Sequence, residues 1–586
     1  MQRPARIANC SGFYGDRLAA AREMLAGPID VLTGDYLAEL TMLILWKARR
    51  KNPSAGYAST FLRQMDDVLG VCLERGIRVV ANAGGLNPGG LAAELTALTQ
   101  RLGLPAKIAY LDGDDLTPRL DELQRAGHQF INLDTGLPLA KADREVVTAN
   151  AYLGGWGIAE ALRTGADVVV CPRVTDASLV VGPAAWWHDW ARDDWDALAG
   201  AVVAGHVIEC GPQATGGNYS FLHEITDRRY PGFPIAEVAA DGSAVITKHD
   251  GTGGLVSVGT VTAQLLYEIG EPAYLNPDVT AHFETVTLTR VGRDRVEIAG
   301  TKGSPPPDSL KVALNMLGGY RNTMTMVITG LDVEEKAAHA EQLLFAQLGG
   351  RDRFAEVDVR LLRLDQPDAP TNEQATAHLR ITVKSDDEHL VGRAFSDTTW
   401  ELALGGYAGF HTTTPPTGAS AYGLYWPTTV PATEITQTVH LPDGTSRIIA
   451  PVTGDPLPPT PPPPTASVVF GPGRSIAPLG TICGARSGDK GGNANIGLWV
   501  RTDRAFAWLR QELTVDRLRE LLTEAAHLPV HRYELPNLRA LNFVVEGIIA
   551  PGVAATARAD AQAKGLGEYL RSRLVSIPTE LIEETW

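Results

Sequence analysis

Short apolar runs, each ending in a small polar loop and followed by a helical pattern, recur along the first part of the chain. This rhythm constrains the fold more than any other feature. Arg6 to Asn9 leads into Cys10-Ser11-Gly12-Phe13-Tyr14-Gly15-Asp16, and Ile29 to Leu32 leads into Thr33-Gly34-Asp35-Tyr36. Arg78 to Ala81 leads into Asn82-Ala83-Gly84-Gly85-Leu86-Asn87-Pro88-Gly89-Gly90. Lys107 to Leu111 is a fourth run, and Asp167 to Cys171 a fifth, ending at Pro172-Arg173-Val174-Thr175-Asp176-Ala177-Ser178. Short apolar strands alternating with helices imply an open, mostly parallel sheet covered on both faces, so residues 1–232 are expected to form an α/β domain.

From Phe233 the pattern changes to alternating β-like runs (Ala244 to Thr247, Ala281 to Thr289, Arg295 to Ala299, Met324 to Ile328, Val357 to Leu364, Ala377 to Val383) around one helix, Val333 to Leu348. Residues 233–454 are therefore expected as a second α+β region. Residues 455–473 read DPLPPTPPPPTASVVFGPG. Proline at that density blocks helix and sheet ladders and predicts an extended spacer. The remainder, 474–586, has the size of a small domain. Its pattern predicts strands at Leu479 to Cys483, Ile496 to Val500, Val530 to Glu534 and Leu541 to Ile548. Helices are expected at Asp503 to Leu513, Val515 to His527 and Asp560 to Leu574, with a polar loop from Ala485 to Asn495 between the first two strands.

Several classes are excluded by composition and motif. A formal charge of −16, from 52 Lys and Arg against 68 Asp and Glu, argues against a nucleic-acid partner, which needs a basic face. The five cysteines are scattered and odd in number, which suggests neither a disulfide framework nor a zinc site, and fits a reducing compartment. The N-terminus lacks an apolar signal core, and no apolar run approaches the roughly 18 residues that cross a bilayer. A cytoplasmic chain with no membrane partner is expected. There is no GxxxxGK[ST], GxSxG or HExxH. The stretch Gly154-Gly155-Trp156-Gly157 lacks the third small residue and the preceding strand of a dinucleotide fingerprint. Neither a cofactor nor a metal is expected. Asp112-Gly113-Asp114-Asp115 reads as a turn before a capped helix rather than a calcium loop, and Cys171 reads as a buried thiol before a nucleophile.

In open parallel sheets ligands bind beyond the carboxyl ends of the strands. The candidates there are Ser11, Gly12, Gly15, Asp16, Asp35, Asn82, Gly84, Gly85, Asn87, Arg173, Thr175 and Asp176. Carboxylates at such positions can move protons, glycines let backbone N–H groups approach a ligand, and Arg173 can grip an anion. Ordinary turns and N-caps use the same residue types. Gly216, Gly217 and Asn218 form a further glycine-rich polar segment. His249 and Asp250 place a base and a carboxylate in one turn, which serves proton transfer or is simply a β-turn. In the C-terminal loop, Arg486 and Lys490 either dock the domain, bind a ligand phosphate through a nest of Gly488, Gly491 and Gly492, or are merely solvated.

Four segments resemble the acyclic terpene utilisation AtuA-like family: IANCSGFYGDR (Ile7 to Arg17), DVLTGDYLAELTM (Asp30 to Met42), ANAGGLNP (Ala81 to Pro88) and GADVVVCPRVTDASLVVGPAAW (Gly165 to Trp186). ARSGDKGGNANIG, from Ala485 to Gly497, resembles that family's small ferredoxin-like C-terminal domain. The resemblance implies breakdown of citronellol- and geraniol-type terpenes, in which intermediates travel as branched acyl-CoA thioesters. The leading expectation is a cofactor-independent enzyme acting on an acyl-CoA or other carboxylic thioester by hydration, lyase cleavage or hydrolysis. Asp16, Asp35, Asp176, His249 and Asp250 are its candidate proton-transfer groups. The partner is then a small-molecule acyl thioester, and a homo-oligomer is expected. A non-catalytic organiser of an acyl-CoA pathway enzyme, and a phosphosugar- or nucleotide-binding enzyme, are the competing readings.

Overall fold

The computed structural model describes residues 3–463 and 468–584. Five parallel strands form its centre: β1 (Ala5–Asn9), β2 (Val31–Gly34), β3 (Arg78–Ala81), β4 (Ile108–Asp112) and β5 (Val168–Val170). Antiparallel strands β6 (Pro234–Val238), β7 (Ala244–Lys248), β8 (Thr287–Gly292) and β9 (Arg295–Ala299) extend one edge, and β10 (Gln437–His440) and β11 (Ser446–Ile449) the other. The order across this eleven-stranded sheet is β8-β9-β7-β6-β1-β2-β3-β5-β4-β10-β11.

Alternation along the strands explains the double cover. Ala8, Leu32, Val79, Ala81, Val168 and Val170 share one core with Met24, Phe61, Met65, Leu91 and Leu95 from the helices that follow β1, β2 and β3. Their neighbours Ile7, Val31, Val80 and Val169 are also buried. They face the other way, toward the helices Trp156–Arg163, Ser178–His188 and Trp195–Ile208. The strands at 244–248 and 295–299, expected as the opening of a second α+β region, add to this first sheet, because β6 pairs with β1 from Ala5↔Val238 to Ala8↔Ile235. A second compact unit comprises residues 316–424 and 554–559. There the strands Glu356–Leu362 and Thr376–Ser385 and the helix Val333–Gln347 enclose Met324, Met326, Ile328, Leu344, Phe345, Leu379 and Ile381.

The C-terminal domain belongs to the same compact unit as the eleven-stranded sheet. It is a four-stranded antiparallel sheet, β12 (Gly484–Lys490), β13 (Asn493–Trp499), β14 (Val530–Leu535) and β15 (Ala540–Val545), in the order β12-β13-β15-β14. The helices Asp503–Glu512, Val515–Leu521 and Leu566–Ser572 accompany it. Here the sequence reading is corrected. The stretch from Ala485 to Asn495, expected as a loop, is most of a hairpin paired from Gly484↔Trp499 to Lys490↔Asn493, whereas Leu479–Thr481, expected to be strand, is a single 3-10 turn. Gly491 and Gly492 do form the turn of this hairpin, whereas Gly488, which also reads as a loop former, serves close packing. A Cβ on Gly488 would stand 2.5 Å from the Tyr267 ring, and one on Gly497 would stand 2.5 Å from Leu266 Cβ.

The proline-rich segment has no regular structure up to Pro463 and is pinned at intervals. Leu457 N donates to Ser304 Oγ at 3.2 Å and Thr460 N to Glu284 Oε1 at 2.8 Å. Its positions 464–467 lie outside the described residues.

Candidate functional site

The loops after β2, β3 and β5 meet through side chains that bond one another. Asn82, following β3, is fully buried. Its Nδ2 donates to Asp35 Oδ1 at 2.5 Å, and its Oδ1 accepts from Tyr36 N at 2.7 Å. One side chain thus ties two strand ends and aims Asp35. Arg173, following β5, is 3% exposed. Its NH1 donates to Asp176 Oδ1 at 2.7 Å and to Leu37 O at 3.4 Å, and its guanidinium lies 4.2 Å from the centre of the Tyr152 ring. Its backbone N–H is held by Asp114 Oδ2, which also accepts from Asn150 Nδ2 at 2.8 Å. Glu39 opens the helix Glu39–Lys51, and its Oε1 accepts from Tyr152 OH at 3.0 Å and Tyr425 OH at 3.3 Å, with Lys311 Nζ 3.6 Å away.

The far bank comes from the end of the helix Trp195–Ile208, from the segment after the helix Val258–Leu265, and from the C-terminal hairpin. Glu209 lies one turn beyond His206, with its Oε1 at 3.3 Å from His206 Nδ1. Glu209 Oε2 is buried with no hydrogen-bond partner among the described residues. Glu268 has a left-handed backbone, φ 56°. That peptide is gripped by the hairpin: Glu268 N donates to Asn495 Oδ1 at 2.8 Å, and Lys490 Nζ donates to Glu268 O at 3.2 Å. Arg486 donates to Gln213 Oε1 and lies 4.4 Å over the Tyr267 ring. Asn495 Nδ2 donates to Leu266 O at 2.6 Å, and Asn542 Nδ2 donates to Gly270 O at 2.7 Å. A left-handed Glu is strained, and such strain persists where its surroundings over-determine it.

These groups sense each other's charge. The side chains of Lys311, Glu39 and Asp176 keep 42%, 33% and 31% of their surface accessible, and Lys490 is exposed, although residues of several separate segments surround them. Burial raises Asp35 well above the usual carboxylate range, and Asp176 adds to the effect while Arg173 opposes it. Burial, Asp176 and Glu268 do the same to Glu209. Burial raises Glu268, with Tyr267 and Lys564 opposing and Glu39 and Asp176 assisting. Glu39 goes the other way: burial disfavours its charge, but Lys311 and Arg173 draw it down to about 2. Carboxyls with opposite protonation tendencies therefore share one enclosure, which suits a site that both gives and takes protons.

The sequence candidates fall into three groups. Asp35, Asn82, Arg173 and Asp176 are brought together, with Thr175 beside them through a 2.5 Å contact between its Oγ1 and Ser178 Oγ. Arg486 and Lys490 face the same enclosure from the hairpin. A second group shapes loops. Asp16 accepts from Gly12 N and Arg17 N within its own turn, and Ser11 Oγ donates to Phe13 O. Gly12 abuts the Cys210 carbonyl, where a Cβ would lie 2.8 Å from the carbon, and Gly84 likewise abuts Cys171 O. Gly85 has φ 51° and Gly15 packs on Phe13. Asn87 caps the helix Pro88–Leu102 by accepting from Gly90 N. Gly216, Gly217 and exposed Asn218 form a turn with left-handed φ at Gly216 and Asn218. The third group is placed by other bonds. His249 Nε2 donates to Met24 O at 2.8 Å and Asp250 is an exposed turn residue.

Glu39, Tyr152, Glu209, Glu268, Lys311 and Tyr425 were not marked by the sequence. Of these, Glu39 lies four residues after Asp35 at a helix start, and Glu209 opens the glycine-rich polar segment that runs to Asn218. Cys171 is fully buried and burial pushes its thiol up, as for an inert core cysteine. A separate hollow of about 760 Å³, lined by Trp190, Asp194, Asp241 and Lys302 among others, adjoins the turn after Val238. It therefore lies at the opposite end of the parallel strands, since Val238 pairs with Ala5 at the start of β1. Among the described residues no group of three or more His, Cys, Asp or Glu is arranged to hold a metal ion, and no helix is long and apolar enough to cross a membrane.

The fold and site together define an α/β protein whose strand-end loops carry interacting carboxyls and cations, with a small antiparallel C-terminal domain bonded to Gln213 and to the segment Leu266 to Gly270. Residues 5–441 match the acyclic terpene utilisation family protein AtuA, and residues 477–576 match the AtuA ferredoxin-like domain. The chain belongs to the AtuA family of acyclic terpene utilisation proteins. No curated protein matches it.

Proposed function

We propose that the chain is an enzyme that adds water to, or eliminates it from, a branched acyl thioester by acid–base chemistry, with no redox cofactor. The observation that carries this reading is the opposed protonation within one cleft: Glu39 is drawn down to about 2, while Asp35, Glu209 and Glu268 are pushed up. Perturbed groups of this kind gather where protons are transferred, which favours this reading over a protein that only organises a partner. The family's terpene context supplies the acyl class.

In the hydration direction, a carboxylate takes a proton from water as its oxygen attacks the β-carbon of an unsaturated thioester. A carboxylic acid then gives a proton to the α-carbon. Asp176, ion-paired to Arg173 and accessible to the cleft, fits the base. Glu209, with its unpartnered buried oxygen, fits the acid. Lys311 and Lys490 supply positive charge for the thioester oxygen as electrons move onto it.

The test is incubation with branched enoyl-CoA and 3-hydroxyacyl-CoA esters, read by the gain or loss of one water in the product mass and by the melting temperature of the protein. The expected result is turnover of at least one ester, falling by about 100-fold or more in Asp176→Asn and Glu209→Gln, in line with the usual worth of general acid–base groups. If no ester is converted and none raises the melting temperature, the reading is wrong.

A further inference from the structure

Away from the strand-end groups, three side chains are bonded in a row beneath the proline-rich segment. His282 ends the strand Thr280–His282, Glu284 follows in the turn Phe283–Thr285, and Ser304 ends the strand Lys302–Ser304. The two strands pair antiparallel, with His282 opposite Lys302 and Thr280 opposite Ser304. His282 and Ser304 are therefore diagonal neighbours on one face, within reach of a long side chain. Ser304 Oγ lies 2.9 Å from His282 Nε2, and His282 Nδ1 lies 3.0 Å from Glu284 Oε1. Ser304 is 1% exposed and His282 6%, and Glu284 Oε2 is buried with no hydrogen-bond partner among the described residues.

The bonds fix where the protons sit. A carboxylate oxygen only accepts, and Glu284 Oε1 also takes a bond from Thr460 N at 2.8 Å. His282 Nδ1 therefore carries the ring proton, Nε2 is bare, and the Ser304 hydroxyl donates to it. Carboxylate, imidazole and hydroxyl in that order and that tautomer make a serine nucleophilic, and such a relay is recognised by geometry and roles rather than by position in the chain. The proline-rich segment lies over it. A Cβ on Gly454 would stand 2.5 Å from Pro305 Cβ, and Leu457 N donates to Ser304 Oγ at 3.2 Å. An oxygen lone pair engaged that way is held back from attack. Leu457 itself is 61% exposed, so the segment is the outermost layer here, and two backbone N–H groups tie it to the relay.

We propose that Ser304 and His282, with Glu284 as their positioning residue, are a second catalytic site that hydrolyses small carboxylic esters or thioesters and that the proline-rich segment keeps covered. The site shares no residue with the hydration reading. In the step, Ser304 Oγ attacks the acyl carbonyl carbon as its proton passes to His282 Nε2. The bond from that carbon to the leaving oxygen or sulfur breaks, and the leaving group takes the proton from Nε2 and departs as alcohol or thiol. Water then attacks the acyl-Ser304 ester, again giving a proton to Nε2. The carbon–Oγ bond breaks, Oγ recovers that proton, and the carboxylic acid is released. Both residues are restored, and no oxidant, reductant or cofactor is consumed. Throughout, Glu284 holds the ring in its tautomer and offsets the charge that the imidazole acquires.

The test uses the full-length protein and a fluorophosphonate, which phosphonylates activated serines, with the label placed by peptide mass. In the double variant Leu457→Pro, Thr460→Pro the segment stays extended but loses both N–H donors. Ser304 should label there about 10-fold or more faster than in wild type, the scale on which two ordinary hydrogen bonds shift an equilibrium. In that background His282→Gln should slow labelling by about 100-fold. Glu284→Gln should slow it clearly, and Glu284→Asp should recover most of the loss; Gln keeps the shape and Asp the charge, so a merely structural part would rank them the other way. The double variant should also hydrolyse p-nitrophenyl acetate, an ester that needs little help at its carbonyl, and should stop once Ser304 is labelled. Both altered residues are exposed, so the double variant decides the proposal even where a relay variant fails to fold. No label on Ser304, equal labelling of wild type and double variant, labelling indifferent to His282→Gln, a Gln variant faster than the Asp one, or hydrolysis that survives labelling each overturns the proposal.

Discussion

Substituting Gly488 by alanine tests whether the C-terminal hairpin is part of the site or only beside it. The added Cβ would lie 2.5 Å from Tyr267 Cε2 and 3.0 Å from Glu268 Cγ, where carbon atoms rest at about 3.5–4.0 Å. The ring cannot yield easily. Tyr267 is 2% exposed, its hydroxyl accepts from Lys564 and its face carries the Arg486 guanidinium. The hairpin must therefore back away by about 1 Å, at the usual overpacking cost of about 1–3 kcal/mol. Arg486 and Lys490 project from the same face of β12 as position 488, because side chains two apart share a face, so both retreat with it. Displacement of that size in a reacting group costs about 100-fold in rate. Gly488→Ala is expected to remain folded by circular dichroism, to melt a few degrees lower, and to lose about 100-fold in turnover of an acyl thioester that raises the wild-type melting temperature. Protease should also cut the 455–473 segment faster, since the domain that anchors its far end is looser. An alanine variant with wild-type melting, protease resistance and turnover would show that the hairpin neither packs as described nor matters to the chemistry.

Other expectations follow from single contacts. Asp176→Asn keeps the side-chain shape but removes the charge paired with Arg173; turnover should fall steeply while the melting temperature changes by only a few degrees, and equal losses in both would assign Asp176 a purely structural part. Burial holds Asp114 up at about 7, above its unfolded value. The stability this protonated form contributes is complete below about pH 4 and is lost as pH rises through 7. Denaturant unfolding should therefore show wild type losing about 3 kcal/mol relative to Asp114→Asn between about pH 5 and about pH 8, and a constant gap would contradict the assignment. Cys10, Cys171 and Cys483 are buried with thiols pushed up by burial, so iodoacetamide should modify them no faster than the native protein unfolds; rapid native labelling of Cys171 would reopen its reading as a nucleophile.

The fold was legible where local chemistry agrees with tertiary packing. Five apolar runs became β1 to β5 within a residue or two, because continuous burial on both faces leaves no other use for such segments. The second region misled because alternation says that a strand is half-buried but not which sheet it joins; β6 pairs onto β1 through contacts more than two hundred residues apart in sequence, and β7 follows it by pairing with β6. The hairpin misled more sharply. Gly488 looks like a loop former in sequence, yet it is a strand residue whose missing Cβ admits the Tyr267 ring, as Gly484 and Gly497 in the same hairpin admit Trp499 and Leu266. Glycine alone does not tell a turn from a close approach.

The site was half legible for the same reason. Asp35, Asn82, Arg173 and Asp176 could be marked because strand ends in parallel sheets are where ligands lie, and Asn82 and Asp35 prove to hold each other directly. Nothing local distinguishes Glu268 or Lys311, and Glu209 is marked only as the first residue of the glycine-rich segment that ends at Asn218. Glu209 ends a helix, Glu268 follows another, and Lys311 sits near the start of the long strand Ser309–Thr329. Their chemistry exists only once the chain has closed on itself, since each carboxyl is displaced by burial and by charges from other segments rather than by its own neighbours. The same dependence explains why the C-terminal domain lies against the strand-end loops. Without Asn495 and Lys490 the left-handed Glu268 peptide would lose the partners of both its N–H and its C=O, and a strained residue without such restraint relaxes. The hairpin thus restrains the Glu268 peptide, and that contact joins two domains that the sequence separates by a proline-rich spacer.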